Sequence, residues 1–154
     1  MNALAIMTIC AAGADGLLAG VSFDTSLVKL PARLRIGARA YAAFARGADL
    51  GNGILVYALL GVGAAALTVA AAVLALLHGG GTATVPLSLA GIASLAHTFT
   101  TTRAAPRMLS IRRAPDDESQ LAAILHQFAR WQAARATLQV ATFFLMLWAL
   151  VALK

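Results

Sequence analysis

The hydrophobic positions divide the chain into four long apolar stretches separated by polar connections. A helix that crosses a bilayer needs about 20 consecutive, mostly apolar residues. Four stretches have this character, at residues 2–23, 51–77, 85–102 and 136–153. The pattern predicts an all-α fold, a four-helix membrane bundle that forms one domain over residues 1–154. The two long connections, at residues 24–50 and 103–135, contain most of the charged residues.

The four stretches differ in the polar residues that interrupt them. The second contains no charge, whereas the first contains Asp15 and the third ends in His97 and four threonines. We interpret the first stretch as a retained helix and not a cleaved signal peptide, because no Lys or Arg precedes Gly20. Gly16 and Gly20 form a Gly-x-x-x-Gly pair, which favours close helix approach within the chain or in a homo-oligomer.

The first connection has the pattern of one amphipathic helix over residues 30–48. Its helical wheel places Leu30, Leu34, Tyr41 and Phe44 on one arc and arginines on nearly the opposite arc. A basic amphipathic helix beside a membrane lies in the interface and contacts anionic lipid. The alternative is a belt of charge that orients the protein and has no specific ligand.

The second connection becomes helical towards its end. Asp116 is the expected N-cap, and acidic residues follow it where a helix N-terminus favours negative charge. Apolar residues from Leu121 onwards recur at i, i+3, i+4 and i+7 and continue into the fourth stretch. This predicts one helix over about residues 117–153, which is about 55 Å long. Its beginning either projects into the cytoplasm or lies against the amphipathic helix of the first connection.

Composition and charge support membrane insertion and set an orientation. Hydrophobic residues make up 60% of the chain and charged residues 12%, with mean hydropathy +0.81, which is unlike a soluble domain. One cysteine excludes a disulfide scaffold. Eleven of the twelve Lys and Arg residues lie in the two long connections. The positive-inside rule makes this side cytoplasmic, which predicts a multi-pass inner-membrane protein with both termini outside. The same rule accounts for the basic pI, so binding to nucleic acid is not needed to explain it.

The polar residues near the membrane gather at the ends of the stretches that adjoin the long connections. We expect a pocket for a small molecule there, open to the cytoplasm or the inner leaflet. The candidate catalytic residues are His97, Arg135 and Asn52. The candidate substrate-binding residues are Asp15, Asp49, Tyr57, Thr101, Trp131, Gln132 and Gln139.

Structural roles compete with each of these assignments. Asp15 and Arg135 could form a buried ion pair, with Asp49 as a competing partner for Arg135. Threonines commonly bond to carbonyls of their own helix. A histidine side chain can exchange a proton near neutral pH, yet structural hydrogen bonding is the alternative role of His97. The three histidines are widely separated, so no metal site is expected.

Short motifs across most of the chain resemble the small four-helix membrane proteins related to anthrone oxygenases, a family catalogued as a domain of unknown function. The similar segments are Gly16–Gly20, Leu30–Gly37, Asp49–Gly53 with Tyr57, His97–Pro106 and Arg130–Arg135. The resemblance implies oxidation of a lipophilic aromatic polyketide by dioxygen, with no cofactor. In such a reaction His97 would be the base, Arg135 and Asn52 would stabilise the anion, and Trp131 and Tyr57 would line an apolar slot.

Two other function classes remain open. A non-catalytic accessory or scaffold protein, which binds partners or lipid through its helices, predicts paired polar residues and an exposed apolar face between Leu121 and Phe128. A transporter is the less favoured class, because the chain shows no repeated half or pair of broken helices. It would need a polar path from Asp15 to His78. An enzyme predicts a closed pocket around His97 and Arg135.

Overall fold

A computed structural model describes residues 3–153, and over these residues the chain is almost entirely helical and contains no strand. Six α-helices follow one another: α1 Ala3–Asp24, α2 Leu30–Ile36, α3 Ala38–Gly47, α4 Gly53–His78, α5 Thr84–Ser110 and α6 Glu118–Ala152. π-Helical turns at Thr25–Lys29 and Ala48–Asn52 and a 3-10 turn at Gly81–Ala83 join some of them. Asn2, where the first predicted stretch begins, and Lys154 lie outside the described residues.

Three helical segments of the described chain are long and apolar enough to cross a membrane. They are Ala3–Ile36, Ala38–His78 and Glu118–Ala152, which overlap the first, second and fourth predicted stretches. The third stretch lies in α5, which is not among them, since His97 and the threonines after it make this helix less apolar. An all-helical fold with several membrane-compatible helices is therefore confirmed.

The four long helices pack as a ring in the order α1, α4, α5, α6, and α6 closes it against α1. We call the end with α2, α3 and residues 111–117 the basic end, and the end with residues 79–83 the turn end. An apolar cluster fills each end. The basic-end cluster contains Leu30, Tyr41, Leu50, Met108, Ile111, Leu121, Leu125 and Phe128 with four alanines. The turn-end cluster consists of Leu87, Met146 and eight alanines.

The predicted single helix over residues 30–48 is wrong, because Gly37 divides it into α2 and α3. Gly37 has φ +87° and ψ 156°, a conformation that side chains disfavour and glycine adopts freely. The break also divides the predicted apolar arc. Leu30 and Tyr41 are buried, whereas Leu34 is 80% exposed and Phe44 is 49% exposed. α3 therefore packs into the protein, and α2 keeps apolar side chains on the surface.

The beginning of α6 lies against α3, as the second of the two predicted alternatives had it. The Glu118 carboxylate accepts hydrogen bonds from the backbone N–H groups of Ala38 (2.5 Å) and Arg39 (3.0 Å). These are free donors of the first turn of α3, which otherwise lacks a side-chain cap. A side chain on Gly37 would also approach Glu118. The start of one helix thus caps the start of another, 80 residues away.

Arg46 bonds α3 to the connection between α5 and α6. Its guanidinium donates to the carbonyls of Ile111 and Ala114, each at 3.0 Å, and to the carboxylate of Asp116 at 2.6 Å. The expected N-cap role of Asp116 is therefore wrong by one residue. Asp117 caps α6 by accepting from the Gln120 N–H at 2.7 Å. The two long connections are thus bonded to each other.

These bonds predict a pH dependence of stability. The hydrogen bond from Arg46 lowers the pKa of Asp116 below its usual 3.8, and bonds from Ser119 and Gln120 lower the pKa of Asp117. A depressed pKa in the folded state stabilises it above the unfolded value, and this contribution is lost as pH falls through the folded value. We expect the thermal transition to fall between about pH 5 and about pH 3, and to fall less in Asp116→Asn. Equal pH dependence in both proteins would contradict this.

Candidate functional site

A layer of buried polar side chains lies between the two apolar clusters. On α5 and α6 it occupies the turns between the residues of one cluster and those of the other. Its members are Asp15, Ser22, Thr68, Ser94, His97, Gln132, Gln139 and Thr142, all at most 3% exposed. We call this set the polar layer. Polar groups at this depth in a membrane-compatible bundle are costly, so the layer is the candidate functional site.

The polar layer contains unsatisfied groups on both α5 and α6. His97 is 3% exposed, and its Nδ1 has no hydrogen-bond partner in the described protein. The same is true of Ser94 Oγ on α5 and of Gln139 Oε1 on α6. Arg135, half-buried on α6, has a buried Nε without a partner and is close enough to His97 for their charges to interact. Buried donors and acceptors on both helices are therefore left without partners in the described protein.

The predicted ion pair between Asp15 and Arg135 does not form. Asp15 accepts a 2.6 Å hydrogen bond from the Thr68 hydroxyl, which joins α1 to α4. Asp49, the competing candidate, accepts a long 3.4 Å bond from Tyr57. Within the described residues, the ion pairs join Lys29 to Asp24 and Arg46 to Asp116. The positive charge of Arg135 thus has no carboxylate partner there.

Gln132 connects α6 to the end of α1. Its Nε2 lies 3.4 Å from both the Ser22 carbonyl and the Ser26 hydroxyl, while its Oε1 is buried and unpartnered. Thr101 donates to the His97 carbonyl of its own helix at 3.0 Å, as the structural interpretation of the threonines predicted. Gln132 therefore belongs to the polar layer, and Thr101 contributes to the local geometry of α5.

Three predicted site residues lie at the start of α4, and Trp131 lies beside the basic-end cluster. Asn52 is exposed on the π-helical turn, and neither it nor Asp49 or Tyr57 bonds to a residue of the polar layer. Trp131 is half-buried and packs against the basic-end cluster. The structure therefore joins His97, Arg135 and Gln139, and leaves Asn52 out of this group.

Sequence reasoning missed several members of the polar layer, among them Ser94, Thr68 and Thr142. Ser94 precedes His97 by three residues, a spacing that puts both on one face of a helix, and this signal was available. Thr68 is a small polar residue inside the uncharged second stretch, and only the packing of α4 on α1 reveals its partner.

Two cavities on the surface of the described protein are lined by residues other than His97, Arg135 and Asn52. One, of about 750 Å³, lies at the end of α5 and includes Pro106, Arg113 and Ile124 in its wall. The other, of about 400 Å³, lies beside Gly37 and Glu118. The expected pocket around His97 is thus not one of these two.

The exposed apolar face that the scaffold interpretation predicts is absent from the described helix. Leu121, Leu125 and Phe128 are at most 4% exposed, because α3 and the end of α5 cover them. A partner cannot dock on these side chains while α3 is in place. The described residues also contain no group of three or more His, Cys, Asp or Glu side chains that could hold a metal ion.

No protein-family model, curated protein or solved structure matches the chain. The resemblance to the anthrone-oxygenase-like family therefore stays a prediction from short motifs. The case for function depends on the geometry of the polar layer.

The bond between Thr68 and Asp15 predicts a stability difference between two threonines. Thr68→Val leaves the buried Asp15 carboxyl without its donor, and we expect a cost of about 1–2 kcal/mol. Thr142→Val is the matched control, because Thr142 is equally buried but bonds only to the Leu138 carbonyl of its own helix. Denaturation in detergent measures both variants. Equal losses of stability in the two variants would show that the bond between Thr68 and Asp15 contributes no more than a bond within one helix.

Proposed function

We propose that the chain is a four-helix membrane bundle in which α5 is the fourth membrane-spanning helix. α5 packs between α4 and α6, which are both segments that can cross a membrane. It also exposes Ile92, Leu95 and Phe99, each more than half accessible, on its outer surface. Apolar side chains such as these pack favourably against lipid. They compensate for polar residues that face inward and lower the mean hydropathy of the helix.

We further propose that the basic end faces the cytoplasm at the inner membrane and that both termini face outward. Eleven basic residues belong to the two connections of this end or to the helix segments beside them. The short turn over residues 79–83 at the other end contains none. Positive charge in short connections is retained on the cytoplasmic side.

For activity, we propose that the polar layer is the site of a cofactor-independent oxidation of a lipophilic aromatic substrate. The observation that carries this is the pair of buried, unpartnered nitrogens on facing helices, His97 Nδ1 and Arg135 Nε. A histidine can remove a proton from a weakly acidic carbon, and a nearby guanidinium stabilises the anion that results. Ser94 and Gln139 supply further hydrogen-bonding groups at the same contact.

Dioxygen is the only oxidant that the proposed reaction needs. His97 takes a proton from the methylene group of an anthrone, and the aromatic rings and the carbonyl delocalise the electron pair. The anion transfers electrons to dioxygen and forms a carbon–oxygen bond, which gives a hydroperoxide once protonated. Loss of water from the hydroperoxide leaves the second quinone carbonyl. One methylene group and one dioxygen molecule are thus converted into one carbonyl and one water.

In this proposal, the helices move to admit the substrate. Neither of the two cavities described above is lined by His97 or Arg135, and a fused-ring substrate enters between α5 and α6 as they separate. Asn52, exposed before α4, has no role in this proposal.

Oxygen uptake by the purified protein in lipid vesicles, with an anthrone as substrate, tests the activity. We expect one dioxygen consumed for each quinone formed, at a rate above that of protein-free vesicles containing the same lipid and substrate. Equal rates with and without protein would reject the oxidation and leave the accessory or scaffold function as the interpretation of the fold.

That second candidate is favoured by one specific observation. The polar layer contains bonds between helices, from Thr68 to Asp15 and from Gln132 to the Ser22 carbonyl, which align the helices without a ligand. Transport is the less favoured class, because the Ala-rich turn-end cluster lies between the polar layer and His78 in the described residues.

A further inference from the structure

The larger cavity combines an apolar wall with an uncompensated positive charge. It lies between the last turns of α5, the connection that follows and the first turns of α6. Leu109 is 41% exposed beside it, and Pro106 and Ile124 add apolar surface. Arg112 and Arg113 contribute the charge. A volume of about 750 Å³ is within the range of small-molecule sites.

The acidic residues that follow this cavity along the chain are each occupied elsewhere. Asp116 binds Arg46, and Asp117 caps α6. The carboxylate of Glu118 accepts the N–H groups at the start of α3. None of these three carboxylates pairs with Arg113.

The two arginines of the cavity have different roles. Arg112 donates one bond to the Leu50 carbonyl, which holds it in place beside the basic-end cluster. The exposed Arg113 side chain makes no hydrogen bond or ion pair within residues 3–153. Arg113 is therefore the free cation of this cavity, and Arg112 adds positive charge next to it.

In the membrane placement proposed above, the cavity lies at the depth expected for lipid headgroups. Phe99 is exposed on α5, and the Arg103 guanidinium lies 5.4 Å from the centre of its ring. This pairing is typical of the boundary between hydrocarbon and water, where long basic side chains reach outward. Leu109 follows Arg103 by six residues, or about 9 Å along the helix. The cavity is thus just beyond the hydrocarbon and within the headgroup region.

We propose that this cavity binds the headgroup of an anionic phospholipid. Arg113 contacts the phosphate, Arg112 strengthens the positive potential, and Leu109 with Ile124 packs against the glycerol and the first carbons of the acyl chains. This inference rests on the membrane placement proposed above and is independent of the chemistry proposed at His97. A basic side chain near an anionic membrane surface contributes enough to binding for its loss to be measurable.

Native mass spectrometry of the full chain in detergent tests this site, with phosphatidylglycerol and phosphatidylcholine of identical acyl chains as ligands. We expect tighter binding of phosphatidylglycerol, and affinity for it about fivefold weaker in Arg113→Gln. Arg35→Gln is the matched control, because Arg35 is an exposed arginine of the same end that does not line the cavity. It should bind as the wild type does. Leu109→Gln should weaken both lipids, because it removes apolar wall.

Three results would overturn the proposal. Equal affinity for phosphatidylglycerol and phosphatidylcholine would show that the negative charge of the lipid headgroup does not contribute to binding. Equal weakening by Arg35→Gln and Arg113→Gln would assign the preference to the total charge of the basic end. Competition by inorganic phosphate at the concentration of the lipid would identify a site for free anions. Recovery of the chain from cells without detergent would instead reject the membrane placement, whereas loss of oxidase activity alone would leave the lipid site standing.

Discussion

Replacing His97 by asparagine is expected to lower anthrone-dependent oxygen uptake by about 10²–10⁴-fold. Asparagine preserves a polar group near the position of Nδ1 but cannot take a proton from carbon. The side chain is 3% exposed, so water does not replace the lost base easily. The measurement is oxygen uptake and quinone formation in vesicles of matched protein content.

His126→Asn is the matched control for this variant. His126 lies on α6, is exposed and is outside the polar layer, so its loss should leave the rate unchanged. A His97→Asn protein that unfolds at the wild-type temperature yet keeps full activity would reject His97 as the base.

Arg135→Gln gives a second test, because it should slow oxidation while the protein still binds the substrate. A rate unaffected by both substitutions would place the reaction elsewhere.

Replacing Leu125 by alanine is expected to reduce the free energy of unfolding by about 2–5 kcal/mol. Leu125 is fully buried in the basic-end cluster, where α3, α5 and α6 meet. Its truncation removes apolar contacts and leaves a void between helices that are also held by the Glu118 and Arg46 bonds. Those bonds limit how far the helices can move to fill the void.

Leu147→Ala on the same helix is the control, because Leu147 is 38% exposed on the outside of α6. We expect it to cost well under half as much. Denaturant titration in detergent, followed by tryptophan fluorescence to which Trp131 beside the basic-end cluster contributes, compares the two variants. Similar losses would mean that the cluster does not hold the basic end together.

The basic end shows that its arginines have more than one role. All of them fit the charge bias that orients membrane proteins, which is how the sequence alone accounts for them. The structure separates Arg46 and Arg112, which bond to backbone carbonyls of other segments, from Arg113, which has no such bond. Charge bias alone therefore cannot tell a structural arginine from one that is free to bind a ligand.

The helical class and the length of α6 follow from the sequence alone. In a long apolar run, a helix satisfies the backbone hydrogen-bonding groups within the segment itself. The periodic pattern after Leu121 predicted a helix, and the structure has this helix at Glu118–Ala152. The buried positions Leu121, Leu125, Phe128 and Gln132 also follow from this pattern, because periodicity is a local property of one helix. Sequence likewise identified His97, Arg135 and Gln139 as polar residues in costly surroundings.

Partners between helices were decided by the tertiary structure alone. Asp15 meets Thr68 and not Arg135, and Glu118 caps a helix that begins 80 residues earlier. Each of these contacts depends on how far two helices are rotated and shifted relative to each other, which no single helical pattern contains. The break at Gly37 was also absent from the helical pattern, because the positive φ of Gly37 ends one helix and starts the next at a new angle. The sequence by itself therefore determined the helical class and the buried face of α6, and only the packing of the helices decided which other side chains are buried and which polar groups are satisfied.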